Sequence, residues 1–215
     1  MNFYYFIKSI LIIIFYLFSK TKRYMNLLIL IIFYKPKTIL EIGVYNGLRA
    51  KQMIEAAKIY NNQIFYYGFD LFENFYKEKN ILSKELSKNP LKKKDIMFFL
   101  SSICKVFLFK GNTKKTLEKF TKKKIKIDFL FIDGGHSVRT INNDWHYVQK
   151  LLHKKSIVVF DDYYLDDKGL IKKFGCNKII HNLSNRFKFQ KLPFVDQFYN
   201  NNTPKKIKMV KVSLK

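Results

Sequence analysis

Two neighbouring apolar runs end in carboxylates: FLFIDGGH (Phe129 to His136) closes on Asp133, and IVVFDDY (Ile157 to Tyr163) closes on Asp161 and Asp162. Two earlier runs end in the same way. TILEIGVYNG (Thr38 to Gly47) puts Glu41 before a glycine loop, and IFYYGFD (Ile64 to Asp70) finishes on Asp70. Short apolar stretches separated by helix-length segments are the pattern of a parallel sheet with crossover helices, so the chain is expected to be α/β. Open sheets of that kind bind ligands outside the carboxyl ends of their strands, where these polar residues fall.

The segments between the runs fit. Leu48 to Tyr60 is rich in good helix formers and ends at Asn61-Asn62, which makes it the first crossover helix. A charged insert, Glu73 to Lys94, leads into an apolar-faced helix near Leu91 to Cys104, and its place beside the ligand edge suits a lid. Val106 to Phe109 is the third strand, followed by Gly111-Asn112-Thr113 and a helix near Thr116 to Lys123. Ile127 to Ile132 is the fourth strand, Asn143 to His153 a crossover, Ile157 to Phe160 the fifth strand and Gly169 to Phe174 a short helix. Phe187 to Leu192 and Ile207 to Leu214, separated by the turn-rich Asn200 to Pro204, read as an antiparallel hairpin.

Length allows one domain with a substantial core. The division expected is an apolar N-terminal helical segment over 1–36 and a catalytic-size domain over 37–215. Phe3 to Phe18 is apolar except for Lys8 and Ser9, and Lys20, Lys22 and Arg23 follow it. It is shorter than the ~20 apolar residues of a spanning helix and no small-residue cleavage site follows, so the expected location is cytoplasmic, with this segment either buried or in peripheral contact with the inner membrane face. Met25 to Tyr34 is a second apolar stretch, read as a helix on the sheet that ends at Lys35-Pro36. The net charge of +25, from 41 Lys and Arg against 16 Asp and Glu, would steer the chain toward polyanions. The Lys, Asn, Ile, Phe and Tyr bias runs along the whole sequence, however, and is read as compositional. Cys104 and Cys176 have no metal-ligand spacing and are read as reduced thiols.

Three carboxylates at one sheet edge repel one another unless a hard cation or a polar ligand offsets their charge, so Asp133, Asp161 and Asp162 form a candidate site for a divalent cation. The loop EIGVYNG is a weak nucleotide signature, because Tyr45 stands where GxG would carry its middle glycine. Asp70 follows where an acidic residue takes ribose hydroxyls in a βαβ unit. There is no GxxxxGK[ST] loop, no G-x-S-x-G elbow and no paired metal histidines, which argues against nucleotide phosphoryl transfer and serine hydrolysis.

Taken in order, EIGVYNG, GFD, GNT, FLFIDGGHS with NDW after it, and VVFDDY resemble the class I S-adenosylmethionine-dependent methyltransferases, more narrowly the metal-assisted O-methyltransferase and cephalosporin-hydroxylase-like branch. The resemblance covers about Lys37 to Lys215. It implies a Rossmann-like, mostly parallel seven-stranded sheet with a C-terminal antiparallel hairpin and helices on both faces. It also implies that Glu41, Gly43 and Gly47, with Asn46 nearby, border the methionine part of S-adenosylmethionine. Asp70 would hold the ribose, and Asn112 with Thr113 would lie near the adenine. Asp133, which also borders the cofactor, would join Asp161 and Asp162 around Mg²⁺ or a similar ion. Asp133 or His136 would take a proton from the acceptor hydroxyl, His136 being equally readable as a cap of the loop after Gly135. The sequence departs from the family at Tyr45 and at LLHKKS (Leu151 to Ser156), where Leu-Lys-Pro-Gly-Gly is usual. The expected acceptor is a hydroxylated small molecule, a sugar or a secondary metabolite. The alternatives are a nucleic-acid methyltransferase and a non-catalytic, membrane-apposed binding protein. Oligomeric state is not readable.

Overall fold

The computed structural model describes Ile7, Ile14 and residues 21–74, 90–165, 169–200 and 203–215. Seven strands form one sheet: β1 (Thr38–Ile42), β2 (Phe65–Asp70), β3 (Lys105–Lys110), β4 (Phe129–Ile132), β5 (Ile157–Tyr164), β6 (Phe187–Asn200) and β7 (Thr203–Leu214). Their order is β3-β2-β1-β4-β5-β7-β6. The first five are parallel, and β7 pairs antiparallel with both β5 and β6, as the hairpin reading anticipated.

Each central strand is buried on both faces, because helices cover both sides. On one face α1 (Met25–Tyr34), α2 (Leu48–Lys58) and α3 (Lys93–Ser101) pack on Ile39, Tyr66, Phe129, Phe131 and Val159. On the other, α4 (Thr113–Thr121), α5 (Val138–Val148) and α7 (Asn177–His181) pack on Leu40, Phe69, Leu130, Ile132 and Phe160. A short α6 (Leu170–Lys173) precedes α7. Each fully buried Ile, Leu or Phe contributes about 1.5–3 kcal/mol of transfer free energy. Two layers of such residues outweigh the strands' modest local preferences.

Register is what gathers the polar residues. Ile42 lies opposite Phe69 on one side and Ile132 on the other, and Ile132 lies opposite Phe160. The next residue of each strand, Gly43, Asp70, Asp133 and Asp161, therefore emerges at one height. The chain reverses its strand order between β1 and β4, so this height is also the topological switch point, where a crevice opens between diverging crossovers.

Several boundaries differ from the sequence reading, each for a local reason. The helix α4 begins at Thr113 rather than Thr116, because the Asn112 side chain accepts from the Lys114 amide at 3.0 Å and caps it. The helix α5 begins at Val138, well before Asn143, because Ser137 Oγ accepts from the Thr140 amide at 3.1 Å. The hairpin strands extend until Asn200 pairs with Thr203, and α7 was not anticipated. Met25–Tyr34 packs as a helix on the sheet, as its apolar stretch led one to expect: Met25, Leu27, Leu28 and Ile31 are fully buried in the same core. Most of Phe3 to Phe18 and most of the proposed lid lie outside the described residues. No described helix is long and apolar enough to cross a membrane.

Candidate active site

A cavity of about 950 Å³ opens at the switch point. Its walls come from the glycine turn (Gly43, Val44, Tyr45, Asn46), the end of β2 (Asp70), the start of α4 (Gly111, Asn112, Thr113, Lys114), the loop after β4 (Asp133 to His136), Asp162, and residues 21, 23 and 24.

The glycine turn folds as it does because of two close approaches. Gly43 has φ +93°, and a Cβ there would lie 2.0 Å from the Asp133 carbonyl oxygen, so only glycine lets β1 and β4 leave the sheet side by side. Tyr45, in place of the usual middle glycine, adopts φ 52°, the left-handed conformation a glycine would supply. It is held there by Asp70, whose Oδ2 accepts from the Tyr45 amide at 2.8 Å while Oδ1 accepts from the Phe72 amide at 3.0 Å. Asp70 thus fastens the turn while still lining the cavity.

Past Phe160, β5 bulges. Its register against β7 shifts between Phe160 and Tyr163, and Asp162 adopts φ 58°. Strand alternation puts Asp133 and Asp161 on the face of Phe131 and Val159 and Asp162 on the opposite one, and the bulge returns Tyr163 to the face of Phe160. Asp162 Oδ2 forms a very short hydrogen bond with His136 Nδ1. The Gly175 amide donates to the His136 carbonyl at 2.8 Å and the Cys176 amide to the Asp162 carbonyl at 3.0 Å, which fixes the backbones of both partners. The hydrogen bond that His136 donates to Asp162 raises the His136 pKa to about 9, so the imidazole is protonated at neutral pH.

Asp161 meets a different cation. Arg23 Nε donates to Asp161 Oδ1 at 2.9 Å and Arg23 Nη2 to Oδ2 at 2.9 Å, a bidentate fork. Arg23 Nη1 donates to Asp196 Oδ2 on β6 at 2.8 Å. Arg23 Nη2 also reaches the Tyr24 hydroxyl at 3.1 Å, and that hydroxyl lies 3.2 Å from Asp133 Oδ2. Burial works against charge on Arg23, but Asp161 beside it more than offsets this and raises its pKa. Asp133 is raised well above the usual carboxylate range by burial first, then by Asp161 and Asp162. Arg49 stacks on the Tyr24 ring at 3.7 Å from its centroid.

A profile of the methyltransferase domain family matches residues 40–163, from the first strand to the bulge of β5. The chain belongs to this methyltransferase family. A search of curated proteins finds no match. Solved structures share the fold of this methyltransferase at low identity. The O-methyltransferase TomG of Streptomyces achromogenes, involved in tomaymycin synthesis and solved with SAM, is 13% identical, with a TM-score of 0.58 over 87% of this chain and 77% of its own. An O-methyltransferase of Bacillus cereus in complex with SAH is 15% identical, with a TM-score of 0.59 over 88% and 79%. The SAH-bound methyltransferase PaMTH1 of Podospora anserina is 15% identical, with a TM-score of 0.60 over 92% and 80%.

Of the residues expected from the sequence, the methyltransferase cavity gathers Gly43, Asn46, Asp70, Asn112, Thr113, Asp133, His136 and Asp162 in its walls. Glu41 and Gly47 stand behind them. Glu41 is fully buried and bonded by the Tyr66 hydroxyl. Gly47, at φ +75°, starts α2, and a Cβ there would lie 3.0 Å from Ile96. The helix cap near His136 is Ser137, which leaves the His136 side chain to Asp162.

The three aspartates do not fit a resident divalent ion as arranged: among the described residues, no group of three acidic, histidine or cysteine side chains has the geometry to hold one. The physical reason is that both oxygens of Asp161 face the Arg23 fork and Asp162 has turned to His136. Arg23, Tyr24, Arg49 and Arg139 are the site residues that the sequence reading missed. One signal for them was available. The chain has only four arginines among 41 basic residues, and three of them line this cavity.

Proposed function

We propose that the protein transfers a methyl group from S-adenosylmethionine to a hydroxyl of a small molecule. The observation that carries this reading is the single height at which the strand ends deliver two sets of groups to one cavity: the glycine turn with Asp70, Asn112 and Thr113 on one side, and Asp133 with His136 and Asp162 on the other. The SAM- and SAH-bound structures of shared fold support it. A cavity of about 950 Å³ suits a cofactor and a modest acceptor together.

In this reading Asp70 holds the ribose hydroxyls, the turn from Gly43 to Asn46 receives the methionine part, and Asn112 with Thr113 borders the adenine. The acceptor hydroxyl lies between Asp133 and His136. The protonated imidazole, oriented by Asp162, donates to the acceptor oxygen. Asp133 takes the hydroxyl proton, and its raised affinity for protons suits that role. The oxygen forms a bond to the methyl carbon as the carbon–sulfur bond breaks, and the electron pair stays on sulfur as the neutral thioether of S-adenosylhomocysteine. Holding the two reactants in line is the larger part of the acceleration.

Calorimetric titration with S-adenosylhomocysteine tests the reading. Micromolar binding that Asp70→Ala weakens is the expected result, and absence of binding to folded protein would overturn it.

A further inference from the structure

Carboxylates at the ends of β4 and β5 need a positive partner, and the chain supplies one from its own N-terminal portion. Asp161 is almost wholly buried, its side chain 1% exposed, and the Arg23 side chain is 15% exposed. The guanidinium is fixed from three directions: the fork on Asp161, the 2.8 Å contact to Asp196, and the 3.1 Å contact to the Tyr24 hydroxyl. The Arg23 amide also donates to Asp196 Oδ1 at 3.2 Å, so the backbone and the side chain of Arg23 hold the same hairpin residue. From Arg23 the path continues through the Tyr24 hydroxyl to Asp133 Oδ2 at 3.2 Å. A planar fork matching a carboxylate, always charged, is chemistry that lysine cannot reproduce. Its presence in so lysine-rich a chain sets this position apart from the general basic surface.

We infer that Arg23 is the resident cation of this site: its guanidinium stands where a divalent ion was expected, neutralises Asp161, and through Tyr24 orients Asp133. A divalent ion could reach Asp161 only by displacing a fork that is itself held by Asp196 and Tyr24. The inference rests on the methyl-transfer reading for the use of the site, while the occupancy of the carboxylates can be measured apart from it.

The experiment is titration of metal-free protein with Mn²⁺, followed by loss of the free-ion electron paramagnetic resonance signal, on the wild-type chain, Arg23→Ala and Arg23→Ala/Asp161→Asn. The wild type should take up no stoichiometric Mn²⁺. Arg23→Ala should gain one equivalent, bound about tenfold or more tightly than any wild-type uptake, and the double variant should lose it. If Arg23→Ala does not fold, Arg23→Gln, which keeps part of the apolar stem and an amide donor without the charge, replaces it. One equivalent bound by the wild type and lost in Asp161→Asn overturns the inference, as does a folded charge-removed variant that gains no Mn²⁺. S-adenosylhomocysteine titrations of the same wild-type preparation, with Mg²⁺ and after EDTA, should give equal affinities. A metal-dependent affinity counts against Arg23 as the resident cation, whereas absence of cofactor binding in both conditions overturns only the methyl-transfer reading.

Discussion

Gly43 and Asp133 meet backbone to backbone: a Cβ on Gly43 would lie 2.0 Å from the Asp133 carbonyl oxygen and 2.8 Å from the Gly134 Cα. Because the obstacle is backbone, no rotamer change relieves it, and the φ of +93° adds strain for any L side chain. Gly43→Ala should therefore cost ~1–3 kcal/mol in conformational strain alone and push Asp133 out of line with the cavity. The expected outcome is a lower urea midpoint and at least about tenfold weaker S-adenosylhomocysteine binding, equivalent to ~1.4 kcal/mol. Unchanged binding would mean that the two loops are not spaced by this contact.

Arg23 and Asp161 form a buried pair, and removing one partner of such a pair leaves an uncompensated charge. Arg23→Ala should lower stability by about 3–5 kcal/mol, since Asp161 and Asp196 both lose their cation. Arg23→Lys keeps the charge without the fork and should fall between the two. Chemical denaturation of the three proteins ranks them, and a loss under ~1 kcal/mol for Arg23→Ala would place the pair with ordinary surface bridges.

The pattern of short apolar runs carried the fold, because strands buried on both faces must be apolar throughout and their spacing leaves room only for crossover helices. The same logic placed Asp70, Asp133 and Asp161, which are simply the first residues beyond the last buried pair of each strand. What the pattern could not carry was the conformation at its end. Asp162 follows Asp161 directly, so adjacency in sequence groups the two, yet Asp162 sits at φ 58° in the bulge and its side chain meets His136. Arg23 was hidden for another reason: it comes from a stretch 138 residues away in sequence from its partner, next to an apolar segment that made it look like a flanking charge. Helix starts at Thr113 and Val138 were set by side-chain caps, a local signal weaker than the apolar period that follows it.

Glu41 is fully buried behind the glycine turn, and only one of its oxygens has a described partner, the Tyr66 hydroxyl. Burial raises its pKa well above the usual carboxylate range. Tyr66→Phe deletes that partner and leaves a buried carboxyl without any, so stability should fall by about 1–3 kcal/mol. The double change Glu41→Gln with Tyr66→Phe should cost less than the sum of the single changes, which a double-mutant cycle by urea unfolding measures.

Tyr45 holds a left-handed conformation that costs a non-glycine residue about 1–2 kcal/mol. Glycine removes that strain but gives the unfolded chain more freedom, an opposing effect of about 0.5–1 kcal/mol. Tyr45→Gly should therefore be neutral to mildly stabilising, by up to ~1 kcal/mol, whereas Tyr45→Val, branched at Cβ, should be clearly destabilising. Thermal unfolding of the three proteins gives the order, and equal values for glycine and valine would show that the turn does not need φ near +52°.

His136 supplies the site's pH dependence. Its pKa is raised to about 9, chiefly by the hydrogen bond it donates to Asp162, against about 6.5 in an unfolded chain. A group whose folded pKa is raised contributes stability that is fully present below the unfolded value and is lost as pH climbs through the folded one. Between about pH 6.5 and 9 the wild type should therefore lose stability through this pair, and above it the imidazole is neutral. Asp162→Asn removes the main cause, so its histidine should titrate well below 9, and its thermal midpoint should change less over that pH range. NMR titration of the imidazole protons reads the first effect and thermal melts at pH 6 and 9.5 the second. A His136 that titrates near 6.5 in the wild type would show that Asp162 does not hold it protonated, and would return His136 to candidacy as the group that takes the acceptor's proton.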